Sequence, residues 1–265
     1  MIRVATVNVN GIRAAFRRGM PTWLAASAPD VLALQEVRAD GEIVASHLPS
    51  DEWHVVHEAA VAKGRAGVAI ATRLPVRAVR IGLGTGLATD SGRWVEADLD
   101  LPGGRMLTVV SAYIHSGTAG TPSMAEKYAF LDAMTARLTR LASEREWAVV
   151  AGDFNIAHRE ADLKNWRGNV KNAGFLPDER AYLDRWFGPM GWQDVGRELA
   201  GDVAGPYTWW TWRGNAFDRD VGWRIDYQMA TPAFAALARA WSVDRAASYD
   251  ARLSDHAPFV VDYEA

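Results

Sequence analysis

The sequence contains no cysteine. Disulfide frameworks, thiolate zinc sites and cysteine nucleophiles are thereby excluded, and the composition suits a reducing compartment. No run approaches the roughly 18 consecutive apolar residues of a membrane helix. The N-terminus, MIRVATVNVNG, lacks the apolar stretch of about 7–15 residues that marks a secretory signal. These absences predict a soluble cytoplasmic protein, monomeric by default and without a membrane partner. Nor is there a proline-rich linker, a low-complexity tract or a short repeat, which predicts a single domain over residues 1–265. Neither charge is in large excess: 29 Lys+Arg against 32 Asp+Glu leave −3. A polyanionic partner would therefore have to be met by a local basic patch. P-loop, H-E-x-x-H and G-x-S-x-G motifs are absent, and Gly82-x-Gly84-x-Gly86 lacks the third glycine of a dinucleotide fingerprint.

What is present is a globular composition, 49% hydrophobic and 23% charged. A chain of this length buries a sizeable core without staples. Runs rich in Val, Ile, Thr and aromatics predict strands at Arg3–Val9, Val31–Val37, Trp53–Glu58, Gly67–Arg73, Arg93–Leu99, Met106–Ile114 and Trp147–Ala151. Further strands are expected at Tyr207–Trp212, Trp223–Ala230 and Pro258–Tyr263. Helices are expected at Pro122–Glu144, where Tyr128, Leu131, Met134, Leu138 and Leu141 recur at helical steps, near Pro177–Phe187, and briefly after Pro232. Strands outnumber helices and many are joined by short links. The pattern fits a mixed α/β layer protein with two antiparallel-rich sheets, not a doubly wound domain.

Polar groups recur at the ends of these apolar strands. Asn8 and Asn10 end the first, Glu36 follows Leu32–Gln35, and Asp153 and Asn155 follow Val149–Gly152. Asp226 lies within Trp223–Tyr227, and Asp255-His256 precedes the last strand. Residues two apart on a strand share a face. Any one such carboxylate on its own reads more readily as a turn or cap residue. Several converging would suit a hard cation, and all-oxygen ligands without cysteine favour Mg²⁺ or Mn²⁺. Ser254, Asp255 and His256 alternate faces and cannot form a triad among themselves; His256 paired with the distant Asp226 is the better arrangement. Three basic groups could contact phosphates: Arg13, Arg17 and Arg18; Lys164, Arg167 and Lys171 among Asn165, Asn169 and Asn172; and Arg219 with Arg224. Twelve tryptophans offer flat faces for core packing or for a ring in a cleft.

Taken together, the segments NVNGIRAAFRR (8–18), LQEVR (34–38), SAYIHSG (111–117), GDFNIAH (152–158), DLKNWRGNVKNAGFLPDER (162–180), YTWWTW (207–212), GWRIDYQMA (222–230) and LSDHAPFVV (253–261) resemble the exonuclease III-type abasic (AP) endonucleases of the endonuclease/exonuclease/phosphatase superfamily. The resemblance covers nearly the whole chain. It implies a four-layer α/β sandwich, two mixed β-sheets packed face to face with helices outside, and a cleft at one end of the sheets. It implies Mg²⁺, with Mn²⁺ as substitute, at Glu36, with Asn8, Asn10 and Asp255 around the same ion. By the same resemblance Asp153 orients or deprotonates the attacking water and Asn155 helps place it. His256, held by Asp226, contacts the scissile phosphate, and Tyr113 lies near the leaving group. Arg13, Asn169, Lys171 and Asn172 match contacts to the DNA backbone. Trp209, Trp223 and Ile225 match an apolar pocket for a flipped, base-less sugar.

The implied substrate is duplex DNA carrying abasic sites or blocked 3′ ends, cut to leave a 3′-hydroxyl and a 5′-deoxyribose phosphate. Two departures bear on substrate preference: Ser116 stands where many relatives have Asn, and Arg65 where an aromatic is common. The rival readings are a 3′→5′ exonuclease or 3′-phosphatase on the same fold, a lipid or inositol phosphatase, a non-catalytic nucleic-acid-binding module, and a carbohydrate enzyme using two carboxylates across a sugar bond.

Overall fold

The computed structural model describes all residues 1–265. In chain order the strands are β1 (Ile2–Asn8), β2 (Val31–Gln35), β3 (His54–Glu58), β4 (Val68–Thr72), β5 (Val76–Ile81), β6 (Trp94–Asp100), β7 (Met106–Tyr113), β8 (Ala148–Asp153), β9 (Gln193–Asp194), β10 (Asp226–Ala230), β11 (Ala238–Val243) and β12 (Phe259–Tyr263). The α-helices are α1 (Ile12–Arg17), α2 (Met20–Ser27), α3 (Gly41–His47), α4 (Pro122–Glu144), α5 (Trp166–Asn169), α6 (Pro177–Phe187), α7 (Val195–Ala200) and α8 (Pro232–Ala235). Two six-stranded mixed sheets result, in the orders β11-β12-β1-β2-β4-β3 and β5-β6-β7-β8-β10-β9.

Alternation along the strands builds three cores and hence four layers. Ile2, Val4, Val31, Val68 and Ile70 from the first sheet meet Val95, Leu99, Leu107, Val109 and Val149 from the second. Their neighbours in sequence point outward. Ala5, Val7, Leu32, Leu34, Ala69 and Ala71 pack under Ile12, Ala15, Met20 and Val44 of α1–α3. Val110, Ala112, Ala148 and Val150 pack under Phe130, Leu131, Met134, Leu138 and Leu141 of α4 and Leu183 and Trp186 of α6. Both long helices begin with proline at the first helical position, where the missing N–H costs nothing. Polar stitches fix the sheets against each other: Gln35 Nε2 donates to Ser111 Oγ at 3.0 Å, and Ser111 Oγ to the Leu34 carbonyl at 2.9 Å.

The structure corrects several expectations. Tyr207–Trp212 is not a strand. Trp209 makes isolated bridges to Trp223 and to His256, while the Trp210 N–H donates to the Asp255 carbonyl. Successive residues thus serve different partners, and no ladder can form. The strand expected from Trp223 begins at Asp226, because the Arg224 N–H is drawn to the Asp162 carbonyl at 2.8 Å. Tyr128 is only half-buried on α4, and Lys127 occupies the fully buried position beside it. Three strands unforeseen in the sequence, β5, β9 and β11, lie at sheet edges, where partial exposure blurs the hydrophobic pattern.

Candidate active site

The site lies at one end of the sandwich, where β1, β2, β7, β8 and β10 end or begin. The parallel pairings β1–β2 and β7–β8 bring Asn8 level with Gln35 and Tyr113 level with Asp153, and the antiparallel pairing of β10 sets Asp226 opposite Asp153. Gly152 permits the close approach of β8 to β7, since a Cβ there would lie 1.9 Å from the Ala112 carbonyl oxygen. Asn10, Glu36 and Asn155 hold left-handed backbone conformations, with φ of 45°, 48° and 51°. Each turns its chain sharply just past a strand, a strained arrangement of the kind that clusters where function fixes a side chain.

Glu36 is the hub. Its Oε1 accepts from Asn8 Nδ2 and from the Tyr113 hydroxyl, both at 2.9 Å, and its Oε2 takes an ion pair from Arg38. Asn8 is fully buried and bridges two acids, its Nδ2 also donating to Asp153 Oδ2 at 2.9 Å. Its amide oxygen accepts the Asn10 N–H, so the Asn8 group that faces the carboxylates is the NH₂. Asn10 Nδ2 donates to Asp255 Oδ1 at 2.8 Å, and Trp209 Nε1 to Asp255 Oδ2 at 3.2 Å. Burial opposes the charge on Asp255, but His256, Asn10 and Trp209 outweigh it and hold the carboxyl below its ordinary range.

Asp153 and His256 form the second half. Asp153 Oδ1 accepts the Asn155 N–H at 2.9 Å, and Oδ2 accepts Asn155 Nδ2 at 3.2 Å. Burial pushes the Asp153 carboxyl up to about 7, opposed by the nearby His256 and aided by Asp226. His256 Nδ1 lies 2.9 Å from Asp226 Oδ2, and Nε2 lies 3.7 Å from Asp153 Oδ2. Burial alone would lower the imidazole, but Asp226 and Asp153 outweigh it and raise it to about 10. The two carboxylates thus favour the charged imidazolium. Asp153, Asp226 and His256 each offer a ligand atom within 4.8 Å of the others. With Nδ1 committed to Asp226, that trio is built as a charge pair. The oxygen donors of Glu36 and Asp255, joined through Asn8 and Asn10, are the set whose chemistry fits a hard divalent cation.

Beside His256 stands an apolar wall. Trp209 packs edge-to-face on Trp223 with centroids 6.1 Å apart, and lies 6.5 Å from the His256 ring. Ile225, Phe175, Leu163 and Ala157 back them. All three residues expected to line a sugar pocket are thus brought together. Of the expected backbone contacts, Arg13, Lys171 and Asn172 are exposed and Asn169 is half-buried. Asn172 Nδ2 donates to Asn169 Oδ1 at 2.8 Å, which shapes the Asn-rich turn.

Arg224 leaves the basic surface. It is 2% exposed and pairs with Asp162 and Asp194, each through a bond of 2.7 Å, so it fastens the Asn-rich segment to the sheet and touches no phosphate. Three contributors went unread in the sequence: Arg38 on Glu36, Arg93 stacked 4.8 Å over the Tyr113 ring, and Lys127. Arg38 lies two residues past Glu36 and could have been read as its partner. Lys127 carried a signal too, a charge at a helical position reserved for the core. Arg13, Arg38, Lys63 and Arg65 also line one cleft of about 390 Å³.

Residues 5–256 match the model of the endonuclease/exonuclease/phosphatase family. The chain is 30% identical over 259 residues to an exodeoxyribonuclease of Bacillus subtilis, covering 97% of each. It is 31% identical over 232 residues to the DNA repair nuclease APEX1 of Danio rerio, covering 85% of this chain and 72% of that one. Among solved structures, it superposes on the 3′-phosphatase NExo from Neisseria bound to a product DNA hairpin with a TM-score of 0.90, at 28% identity and full coverage of both chains. An AP endonuclease from Archaeoglobus fulgidus gives a TM-score of 0.88 at 27% identity, again with full coverage. This chain, with its paired sheets and its carboxylates gathered at their ends, belongs to the endonuclease/exonuclease/phosphatase family and, within it, to the exodeoxyribonucleases and AP endonucleases of DNA repair.

Proposed function

We propose that this protein hydrolyses the backbone of duplex DNA on the 5′ side of an abasic nucleotide, leaving a 3′-hydroxyl and a 5′-deoxyribose phosphate. The observation that carries this reading is the Trp209–Trp223–Ile225 wall set directly against His256. An apolar wall beside a charged imidazole suits a sugar that has lost its base. Extruding such a nucleotide costs less than flipping an intact one, because its stacking is already gone.

Glu36 and Asp255, the latter held by the Asn10 amide, would hold Mg²⁺, or Mn²⁺ in its place. When bound, such a cation polarises the phosphate and stabilises the departing 3′-oxygen. The protein groups divide the remaining work. Asp153, with its carboxyl near 7, is matched to accept a proton from water at neutral pH. The Asn155 amide and N–H fix that carboxylate's orientation. The His256 imidazolium, kept charged by Asp226, stabilises negative charge on the phosphoryl oxygens. The Tyr113 hydroxyl donates to Glu36 and holds it at the strand end. Arg13, Lys171, Asn169 and Asn172 present donors to the backbone on either side.

Trimming or dephosphorylation of 3′ ends by the same groups is the second reading. The superposition on a 3′-phosphatase favours it, as does Arg65, which adds a cation to the cleft beside Arg38. A labelled duplex with one tetrahydrofuran abasic analogue separates the two. The analogue cannot undergo β-elimination, so any cut is hydrolytic. We expect cleavage on its 5′ side with Mg²⁺ and none in EDTA. An intact internal analogue alongside shortened or dephosphorylated 3′ ends would overturn the first reading in favour of the second.

A further inference from the structure

Lys127 is fully buried, although it is an ammonium on a long helix that could have left it in water. Burial opposes its charge, and a buried cation persists only where its donors are met. Nζ donates to the Asn155 carbonyl at 3.0 Å and to the Ser116 carbonyl at 3.2 Å, and lies 2.6 Å from Glu179 Oε1. The two carbonyls take two of the ammonium's three donors, and the Glu179 carboxylate supplies the opposite charge.

The partners belong to three separate pieces of the site. Asn155 ends the turn after β8 and holds Asp153. Ser116 follows the end of β7 that carries Tyr113. Glu179, itself fully buried, accepts the Gly174 N–H at 2.7 Å and the Leu176 N–H at 3.0 Å through Oε2. It thereby closes the Asn-rich segment just beyond Asn172, and Lys127 is the one cation paired with it. The fit extends to the stem: a Cβ on Gly117 would lie 3.3 Å from Lys127 Cδ and 2.5 Å from Met124 Sδ. Asn155 has a left-handed backbone, with φ of 51°, so the direction of its carbonyl needs an external anchor.

We infer that Lys127 is a positioning residue for this site, its single buried ammonium setting the Asn155 turn, the Ser116 loop and the phosphate-facing Asn-rich segment in register with one another. Lys127 reaches no substrate. It acts through Asn155 on the orientation of Asp153 and through Glu179 on the placement of Asn172. An arginine would supply a flat fork of donors that cannot converge on three acceptors around one nitrogen, so the geometry asks for lysine.

This inference rests on the proposed nuclease reading, and its test compares variants with wild type on whichever DNA substrate the wild type hydrolyses. A failure of abasic cleavage therefore counts against that reading alone. The variants are K127M/E179Q, which removes both buried charges together, and K127R, which keeps the charge. Folding is checked by thermal melting, and duplex affinity is measured without divalent metal. Misplacing catalytic groups by about an ångström costs on the order of a hundredfold. We expect kcat to fall at least about thirtyfold in K127M/E179Q and about three- to thirtyfold in K127R, with duplex Kd weakened by a smaller factor than kcat in both, the share carried by Asn172. The fuller loss in the double variant and its partial relief in K127R would mark positioning rather than general destabilisation. Wild-type kcat in either folded variant, or a loss residing wholly in Kd, would overturn the inference. If K127M/E179Q does not fold, K127R decides by the same criteria.

Discussion

Two buried carboxylates on neighbouring strands, Asp153 and Asp226, face one imidazole from its two sides, and their tasks differ because their partners do. Asp153 spends its oxygens on the amides of Asn8 and Asn155, whereas Asp226 spends both on His256 Nδ1, at 3.2 and 2.9 Å. Asp226 thus fixes both the orientation and the charge of a ring that would otherwise lose its proton to burial. Asp226→Asn keeps the shape but offers an NH₂ where Nδ1–H needs an acceptor, so the ring must reverse its tautomer or turn. We expect kcat to drop by on the order of a hundredfold or more, in line with the loss seen when a buried aspartate behind a catalytic histidine becomes an amide. DNA affinity without metal should be nearly unchanged. Single-turnover kinetics alongside a binding titration checks this, and a kcat within about threefold of wild type would remove Asp226 from the mechanism.

At the scale of elements, the Asn-rich segment is held by ion pairs rather than by a ladder. Arg224, one residue before Ile225 of the apolar wall, grips Asp162 and Asp194, and Arg197 also reaches Asp162. Burial opposes the Asp162 charge, but Arg224 and Arg197 outweigh it and lower the carboxyl to about 2. A depressed folded-state pKa means stability that is full above the unfolded value near 4 and lost as pH falls toward 2. The shift corresponds to about 2 kcal/mol. Asp162→Asn takes one of two anions from buried Arg224, which keeps Asp194, and the anion of half-buried Arg197, and should cost about 3 kcal/mol at pH 7. Its deficit relative to wild type should then narrow by about 2 kcal/mol between pH 5 and pH 2. Urea unfolding of both proteins across that range tests this, and a deficit independent of pH would mean that Asp162 titrates normally. The same network shows what local pattern hides. Helices α4 and α6 were legible to the residue, because proline opens each and an apolar stripe runs through both. Strand-end acids such as Glu36, Asp153 and Asp226 stood out against the apolar runs before them. Arg224 was not legible, and Lys127 showed only its odd place in the core stripe, since the acid that explains a buried cation is remote in the chain, Asp162 being 62 residues from Arg224. The Trp209 segment failed for a related reason: its alternation is that of a strand, but its partners, Trp223 and His256, come from two separate segments.

For the molecule as a whole, the decisive quantity is the distribution of charge, not its sum. A net charge of −3 gives no general attraction to DNA, so affinity must come from the end of the sandwich where the sheets converge. There Arg13, Arg38, Lys63 and Arg65 line one cleft, with Asp40 as its only acid. Arg38 is already committed to Glu36. Arg13, Lys63 and Arg65 are exposed and free to neutralise phosphates. Each phosphate so neutralised releases condensed counterion and adds roughly 0.9 to the slope of log K against log salt. Arg13→Ala and Arg65→Ala should therefore each lower duplex affinity at low salt and flatten that slope by about one, with the two effects adding in the double variant. Neither side chain lies among the groups around Asp153 and His256, so kcat at saturating DNA should hold within about twofold. Filter or fluorescence binding from 50 to 300 mM salt, repeated for a duplex with and without the abasic analogue, measures both terms. A slope unchanged in Arg65→Ala, with affinity lost only for the analogue-bearing duplex, would mean that Arg65 reads the lesion itself. The cation that replaces an aromatic would then act in recognition rather than as one more contact to the backbone.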